Sequence, residues 1–451
     1  MRRLLNVDQA LKLFFELEEN AEPDSEPESD ECDDEVDDPL YRQGRRDTPT
    51  RSRSPLPQAA EPHLSSESWK SEGDADITPE CSRFQPRRTP GIFLIVFATD
   101  TISTICANTN KNATKNQHLG KKYNFFGLLI YMSLVSLPSL RDYWRQNHIL
   151  SVPLPSKVMT RDRFRSIFWN IHLSDPEEDL KNDAKKGTPG HDKLFRIRPL
   201  YDEILSACQA YYHPRRELSV DERMVATKAK TGMTQYMKDK PTKWGMKMFI
   251  LAESRSGYTI SFTIYTGKNQ TASEHGLAYD VVMNLIQPSC LGTGYHIYMD
   301  NFYTSPRLFL DLTSMRFGAC GTYRENRKGC PKDRANALNR KCPRGSVRWI
   351  REGPLVFVKW MDTREVSVCS TIHPAFSGET ATREIPCPTP IMAYNKNMGG
   401  VDLSDQLIQY YSTHRKTARW YRTMLLHFLD IATTNAFIMH REMCSAKQVQ
   451  H

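Results

Sequence analysis

Apolar residues recur with two different periods in this sequence, and each period indicates a different kind of element. Residues 91–215 have apolar residues at helical spacing, including an uncharged run at residues 125–140 that is too short to cross a membrane. From about residue 218 the period shortens, and β-branched or aromatic runs predict strands. These strands are residues 246–252, 259–266, 296–299, 355–361 and 365–372. We therefore predict a helical domain followed by an α/β region, which a helix over residues 420–439 closes.

The first ninety residues differ from the rest in composition. They contain 12 Lys or Arg residues against 22 Asp or Glu residues, a net charge of −10, and they are rich in Pro and Ser. Such a segment buries too little apolar surface to fold, so we predict a disordered acidic N-terminus. Because the whole chain carries +8, the remainder carries +18. A chain this basic favours a polyanionic partner such as nucleic acid or an anionic membrane face.

Several classes of protein are poorly supported by the sequence. A chain of 451 residues predicts two or three domains. Its eleven cysteines include no Cys-x-x-Cys pair and no secretory signal is present, so free thiols in a reducing compartment are expected. There is no Gly-x-Ser-x-Gly, His-Glu-x-x-His or Walker-type segment. We expect neither a membrane partner nor a small-molecule substrate.

Asp300 has the most informative local setting of the acidic residues. It follows a strand-like run and precedes Ser305-Pro306, where the serine can cap a helix whose first turn holds the proline. A side chain at that point projects from the carboxyl edge of a sheet, where open α/β sheets build their sites. The alternative is an aspartate that only accepts hydrogen bonds from turn amides.

Three further aspartates are candidates for the same site. Asp221 follows the apolar residues 218–220, which can begin a central strand that ends near the charged Glu222-Arg223. The alternative is an aspartate that is solvated or paired with a neighbour such as Arg223. Asp402 and Asp405 share one face if a helix starts near residue 403, and helix capping is the alternative for both. Carboxylate oxygens are the ligands that Mg²⁺ prefers, so these aspartates are candidate ligands for a metal pair.

Two basic clusters are candidates for contact with phosphates. The first surrounds Tyr236 and Trp244, and the second precedes the last helix. Their predicted DNA-contacting members are Lys240, Lys243 and Lys247 in the first cluster, and Arg415, Lys416 and Arg419 in the second. Each lysine or arginine that neutralises a phosphate releases counterions, which drives binding. Solvated lysines on an edge hairpin are the alternative for the first cluster.

The order and spacing of these segments resemble the piggyBac transposase family. The resemblance is carried by residues 219–222 (Ser-Val-Asp-Glu), 235–247, 299–305 (Met-Asp-Asn-Phe-Tyr-Thr-Ser) and 395–406. It implies an RNase H-like catalytic domain with an insertion, flanked by a mainly helical dimerisation and DNA-binding domain. The implied boundaries are 1–90 for the acidic tail, 91–215 and 406–451 for the helical domain, 216–325 and 386–405 for the catalytic domain, and 326–385 for the insertion.

The resemblance also implies an activity. Asp221, Asp300 and Asp402 match the catalytic positions of a DDD site, and Asp405 matches a further acid beside it. The implied cofactor is Mg²⁺, with two ions, and the implied partner is double-stranded DNA. A homodimer in the nucleus would cut transposon ends and join the freed 3′ hydroxyls to TTAA targets.

The sequence departs from the family pattern in two places, and the second of them supports a second hypothesis. Residues 227–230 (Thr-Lys-Ala-Lys) replace an aromatic residue followed by Gly-Arg, which keeps the charge but alters the local shape. The cysteine-rich zinc-binding segment that commonly ends family members has no counterpart here, where only Cys444 lies near residue 451. A domesticated protein that binds DNA without transposing it is the alternative to an active transposase.

Overall fold

The structure is a computed structural model that describes residues 99–113, 122–146, 151–229, 231–238, 240–267, 274–332, 337–338, 341–375 and 387–449. The acidic N-terminus and Lys230 lie outside the described residues. The first described part is helical, as the apolar spacing predicts. Its helices are α1 (Thr99–Asn112), α2 (Lys122–Leu134), α3 (Pro153–Val158), α4 (Arg161–Asn170), α5 (Pro176–Ala184) and α6 (Arg198–Ala210), with 3₁₀ turns at Leu140–Trp144 and Phe195–Ile197.

Residues 125–134 of the uncharged run lie in α2, and their side chains contribute to the core of this helical part. Phe125, Leu128 and Leu129 are at most 2% exposed. Phe125 packs against Phe164 of α4, with ring centroids 5.1 Å apart. The Thr160 hydroxyl accepts a hydrogen bond from the Arg163 amide, which caps α4. No described helix is both long enough and apolar enough to span a bilayer.

A mixed sheet of nine strands forms the centre of the α/β part. The strands are β1 (Glu217–Ala226), β2 (Thr234–Tyr236), β3 (Trp244–Glu253), β4 (Thr259–Ile264), β5 (His296–Met299), β6 (Gly318–Thr322), β7 (Val347–Glu352), β8 (Leu355–Met361) and β9 (Glu365–Ser370). Their order is β2-β3-β1-β5-β6-β9-β8-β7, and β4 also pairs with β3. Strands β1, β5 and β6 are parallel, while β3 is antiparallel to β1.

Most predicted strands are present, but the expected end of the first one is wrong. Strand β1 does not end near Asp221 and instead continues to Ala226. The charges that suggested its end are buried in pairs: Glu222 with Lys247 of β3, and Arg223 with Asp405. A strand can carry charged residues through its middle when each one has a partner. The short edge strand β7 has mostly exposed residues, and its apolar signal is correspondingly weak.

The region assigned to an insertion continues the main sheet. Strand β9 pairs antiparallel with β6, and β8 and β7 follow outward from β9. The domain boundaries implied by the resemblance stay predictions.

Three helices precede this region along the chain. Helices α7 (Leu277–Leu285) and α8 (Pro288–Leu291) connect β4 to β5, and α9 (Pro306–Ser314) connects β5 to β6.

The chain ends in α10 (Thr389–Asn397), α11 (Gly400–Tyr410) and the thirty-residue α12 (Trp420–Val449). Helix α11 begins at Gly400 rather than near residue 403. A Cβ atom on Gly400 would lie 2.5 Å from the Ser219 hydroxyl and 2.9 Å from the Glu253 carbonyl oxygen. A residue without a Cβ is therefore needed where this helix meets β1 and β3. The Asn435 amide of α12 bonds both backbone groups of Thr259 and ties the last helix to β4.

Candidate active site

Two of the predicted catalytic aspartates lie on neighbouring parallel strands. The pairing of β1 with β5 ends at Val220 opposite Met299, so Asp221 and Asp300 are the next residues of the two chains. Adjacent strands are about 4.8 Å apart, so the two backbones are close where both carboxylates begin. Only β1 continues beyond this point, paired with β3. The carboxyl end of the parallel pair therefore brings together acids that are 79 positions apart in the sequence.

Asp300 has the strand-to-helix setting that the sequence predicts. Ser305 caps α9 by accepting a hydrogen bond from the Leu308 amide, and Pro306 is the first residue of the helix. One carboxylate oxygen of Asp300, Oδ1, accepts a hydrogen bond from the Phe302 amide at 2.8 Å. The turn-amide alternative is thus also present in the structure. Burial raises the pKa of Asp300 above its usual value, and Glu222 adds to the effect.

Asp221 is paired with a lysine rather than with its neighbour Arg223. The Lys240 ammonium lies 3.1 Å from Asp221 Oδ2, and the Asp221 side chain is 15% exposed. Burial raises the pKa of the Asp221 carboxyl despite that lysine. The site therefore holds negative charge that its own cation only partly compensates.

Glu222 and Lys247 form a second pair on the opposite face of β1. Their N–O distance is 3.2 Å, and Lys247 also lies over the rings of Phe249 and Phe302, 4.7 and 5.1 Å from their centroids. Burial alone would raise the pKa of Glu222, but Lys247 and other partners hold it below its usual value. The predicted phosphate contact of Lys247 would have to compete with these interactions, and it stays a prediction.

The two aspartates of α11 have different surroundings. Asp402 lies in the first turn of the helix and is exposed. Burial would lower the pKa of Lys240, but Asp221, Glu222 and Asp402 together raise it, so Asp402 acts on the same lysine as Asp221. Asp405, in the second turn, accepts a hydrogen bond from Nε of Arg223. A metal-ligand role for Asp405 stays a prediction, and it would compete with that pair.

A cluster of three His, Cys, Asp or Glu side chains that could hold a metal ion does not occur among the residues that the structure describes. The chemistry of the donors nevertheless suits a hard divalent cation, since Asp221, Asp300 and Asp402 offer only carboxylate oxygens. The raised pKa values of the partly buried Asp221 and Asp300 indicate a place where added positive charge would be stabilised. These residues therefore fit Mg²⁺ chemically.

The second basic cluster lies beside the end of β1. His414 donates a hydrogen bond from Nε2 to the Ala226 carbonyl oxygen at 3.1 Å. The Arg415 guanidinium lies 5.4 Å from the centroid of the Tyr143 ring, which links this segment to the first helical part. Lys416 and Arg419 are exposed, as is Lys243 of the first cluster. These three side chains are available to a partner.

Sequence reasoning missed two residues that organise the site. The phosphate contact of Lys240 stays a prediction, and the structure adds that its ammonium pairs with Asp221 and that Asp402 helps to raise its pKa. Arg223, which the alternative interpretation pairs with Asp221, instead anchors α11 by donating to Asp405 and to the Ser404 hydroxyl. The contact of Arg223 with α11 could have been inferred from the period of two in β1. That period places Asp221 and Arg223 on one face of the strand, the face on which α11 packs.

Comparisons with known proteins agree with this architecture. The sequence model of the family described as Transposase IS4 matches residues 90–437. Human PiggyBac transposable element-derived protein 3 is 29% identical over 402 residues, which cover 83% of this chain and 66% of that protein. Human PiggyBac transposable element-derived protein 2 is 28% identical over 381 residues, covering 80% of this chain and 62% of the relative. The chain thus spans slightly less than two thirds of the length of these curated relatives.

A solved structure shares the fold. It is the piggyBac transposase in its synaptic complex with hairpin DNA, with a TM-score of 0.72 and 24% sequence identity. The match covers 83% of this chain and 79% of that one. The mixed α/β sheet with its helices is therefore the fold of a piggyBac transposase, as the resemblance implies. On the family match and these likenesses, the chain belongs to the piggyBac-type Transposase IS4 family.

Proposed function

We propose that the protein binds double-stranded DNA, cuts its strands and joins the freed 3′ hydroxyls at TTAA sites. Asp221, Asp300 and Asp402 are the proposed catalytic residues, with Mg²⁺ as the cofactor. The observation that carries this proposal is the junction of β1 and β5, where two partly buried aspartates follow paired strand residues, beside the helix that bears the third. Family membership and the likeness to a transposase solved with hairpin DNA support the same function.

The metal pair would lower the pKa of the attacking water or 3′ hydroxyl, which makes it a better nucleophile, and it would neutralise charge at the phosphate. The residues of the chain have separate tasks around it. Asp221 and Asp300 would hold the cations at the carboxyl edge of the sheet, and Asp402 would complete the ligand set from α11. The Lys240 ammonium now balances Asp221, so it would be free to contact a phosphate once a cation takes its place.

A strand-cleavage assay tests the catalytic assignment. Supercoiled plasmid DNA that contains TTAA is incubated with the full chain, with and without MgCl₂, and the product ends are sequenced. Asp300→Asn should lower Mg²⁺-dependent cleavage by about a hundredfold or more while the fold is kept. The matched control is Asp280→Asn on α7, which should cleave like wild type. Equal cleavage by Asp300→Asn would contradict the proposal.

A second readout does not depend on cleavage. A cation that binds only the folded state raises the melting temperature with concentration. Mg²⁺ should therefore stabilise wild type and the Asp280→Asn control, measured by thermal unfolding, and it should stabilise Asp221→Asn and Asp300→Asn much less. An identical Mg²⁺ response in all four proteins would argue against a metal site at these carboxylates.

A second candidate function is DNA binding without strand cleavage. It is favoured by the direct pairing of Lys240 with Asp221 and by the lack of a three-ligand cluster among the described side chains. Under this function the plasmid would be retained in a salt-sensitive complex but never cut, and MgCl₂ would leave the melting temperature unchanged. The two assays above therefore separate the candidates.

We further propose that the protein acts in the nucleus as a homodimer. The +18 charge after residue 90 supports a function on chromosomal DNA. The family likeness supports two copies. In a homodimer each copy could act on one of the two transposon ends, whereas a single molecule would have to act on both. Sedimentation of the full chain with and without DNA would test the homodimer, and imaging of the tagged chain would test the nuclear location.

A further inference from the structure

Two exposed aromatic side chains, Tyr236 and Trp244, lie side by side on the edge of the sheet. They are directly opposite each other in the β2–β3 ladder, with ring centroids 5.0 Å apart and an angle of 47° between the rings. Their residues are 53% and 61% exposed. Other large aromatics of the same sheet, such as Phe249 and Phe262, are at most 1% exposed. The pair is therefore an apolar patch that solvent reaches, placed within a basic loop region.

The strand register places this patch on the same face of the sheet as the catalytic candidate Asp221. Asp221 is opposite Ile250 in the β1–β3 ladder, and Trp244 lies six positions before Ile250 in β3. An even separation keeps both side chains on one face, about 20 Å apart along the strand. At the duplex spacing of about 3.4 Å per nucleotide, this length corresponds to roughly six nucleotides.

Basic residues flank the patch on two sides. The loop between β2 and β3 carries the exposed Lys238 and Lys243, and its Lys240 reaches Asp221. On the other side, His414 donates a hydrogen bond to the carbonyl oxygen of Ala226. Ala226 pairs with Gly245, the residue after Trp244, so His414 lies near the patch. The segment that starts at His414 carries the exposed Lys416 and Arg419. A strand of nucleic acid that crosses from this segment towards Asp221 would pass over the aromatic pair.

We propose that Tyr236 and Trp244 stack an unpaired base of the DNA strand that enters the site. This inference rests on the proposed function and specifies its substrate, which would be DNA with unpaired nucleotides near the reacting phosphate. Bases inside a duplex are already stacked on their neighbours and offer no free face to an aromatic ring. Exposed aromatic rings within a basic groove are, in contrast, the arrangement that binds single strands.

Binding to two matched DNA probes tests the inference. Fluorescence anisotropy would compare a blunt duplex with the same duplex carrying a six-nucleotide single-stranded overhang, both with the full chain. Trp244→Ala and Tyr236→Ala should each weaken binding to the overhang probe by about five- to a hundredfold and to the blunt probe by less than about twofold. The matched control is Trp349→Ala on β7, a tryptophan of similar exposure, 56%, on the opposite edge strand of the sheet. It should behave like wild type.

A spectroscopic signal reports the stacking directly in wild type, and a conservative variant checks its origin. With 2-aminopurine at successive overhang positions, wild type should quench one position strongly, and Trp244→Phe should keep part of this quenching because it keeps an aromatic face. Urea unfolding would establish that each variant is folded. Should Trp244→Ala fail to fold, Tyr236→Ala and the wild-type quenching still decide the question.

The outcomes separate this inference from the function on which it rests. If wild type binds neither probe, the proposed function fails as well. If wild type binds both probes equally, or Trp244→Ala weakens both alike, only the stacking inference is overturned. A loss of self-association in Trp244→Ala with unchanged preference for the overhang would also overturn it, since the patch would then be an interface between two copies of this chain.

Discussion

Asp221 carries its charge in a place that favours the neutral form. Its side chain is 15% exposed, and both burial and the neighbouring Glu222 oppose its charge, so that Lys240 offsets only part of the unfavourable energy. Burial raises its pKa to about 7 from the model-compound value of 3.8. A carboxylate kept in such a place is typical of a site that gains from binding a cation, because the cation removes the cost.

This burial predicts that removal of the charge stabilises the fold near neutral pH. With a folded-state pKa above the unfolded value, the carboxyl contributes stability below about pH 4, and this contribution is lost as the pH rises through the folded-state pKa. Asp221→Asn, which never ionises, should therefore be more stable than wild type by about 1–2 kcal/mol at pH 8 and nearly equal at pH 4. Urea unfolding at both pH values measures the difference.

The matched control for this prediction is Asp362→Asn. Asp362 is 31% exposed and pairs with Arg344 in the outer part of the sheet, so that variant should show no gain at pH 8. A lower stability of Asp221→Asn at pH 8 would mean that its contact with Lys240 outweighs the cost of burial. The pKa argument for a cation site would then lose its basis.

How far single residues are predictable from sequence depends on the separation of their partners. Asp300 was placed correctly because its strand, its capping serine and its proline are consecutive. The partner of Asp221 was not identified, because Lys240 lies nineteen residues further along the chain, in the loop between β2 and β3. The pair of Arg223 with Asp405 spans 182 residues. No local pattern in one sequence specifies contacts of that kind, because they depend on how the elements pack.

The position of helix α11 decides whether the third aspartate can reach the other two. Its first residue, Gly400, lies against Ser219 of β1 and against the backbone at Glu253 and Ser254. The following residue, Val401, is 0% exposed, whereas Asp402 is exposed. One glycine therefore sets the depth at which the helix seats, and with it the place of Asp402 at the edge of the site.

Gly400→Ala should consequently destabilise the protein, although alanine favours helices. The helix preference alone would add about 1 kcal/mol of stability. The new Cβ would meet backbone atoms at 2.9 Å that cannot rotate away, and such overpacking typically costs about 1–3 kcal/mol. We expect lower stability in urea unfolding together with weaker Mg²⁺-dependent cleavage, because the helix that carries Asp402 must shift.

Gly399→Ala is a matched control for this helix terminus. A Cβ at Gly399 would have no heavy atom within 4 Å, and its φ of −78° suits any residue. This variant should unfold and cleave like wild type. If the two alanine variants behave alike, the close seating of α11 on β1 is not what positions Asp402.

Elements were predictable where their own residues fix them. Strands β5 and β8 have the predicted bounds, because short apolar runs between polar spacers mark them clearly. Strand β7 was missed because its residues are mostly exposed, and the end of β1 was misplaced because its charges are buried in pairs. The order of the strands in the sheet could not be predicted from the sequence. For example, β5 lies between β1 and β6, and β9 rather than β7 pairs with β6.

The charge distribution along residues 91–451 determines how DNA binding should respond to salt. Residues 91–451 carry a net +18, and the exposed Lys243, Lys416 and Arg419 lie in two segments that meet at the end of β1. Each side chain that neutralises a phosphate releases condensed counterions, so the logarithm of the affinity falls linearly with the logarithm of salt concentration. The slope counts the phosphate contacts, independent of any catalytic role.

Removal of one such contact should change this slope by a defined amount. Lys416→Ala and Arg419→Ala should each weaken binding of a blunt duplex at low salt and reduce the slope by about one. The control is Lys186→Ala, an exposed lysine just after α5, which should leave both unchanged. Trp244→Ala should likewise leave the slope unchanged, because stacking releases no counterions. If all four variants keep the wild-type slope, DNA does not contact the segment after His414, and the path of the strand proposed for this face is wrong.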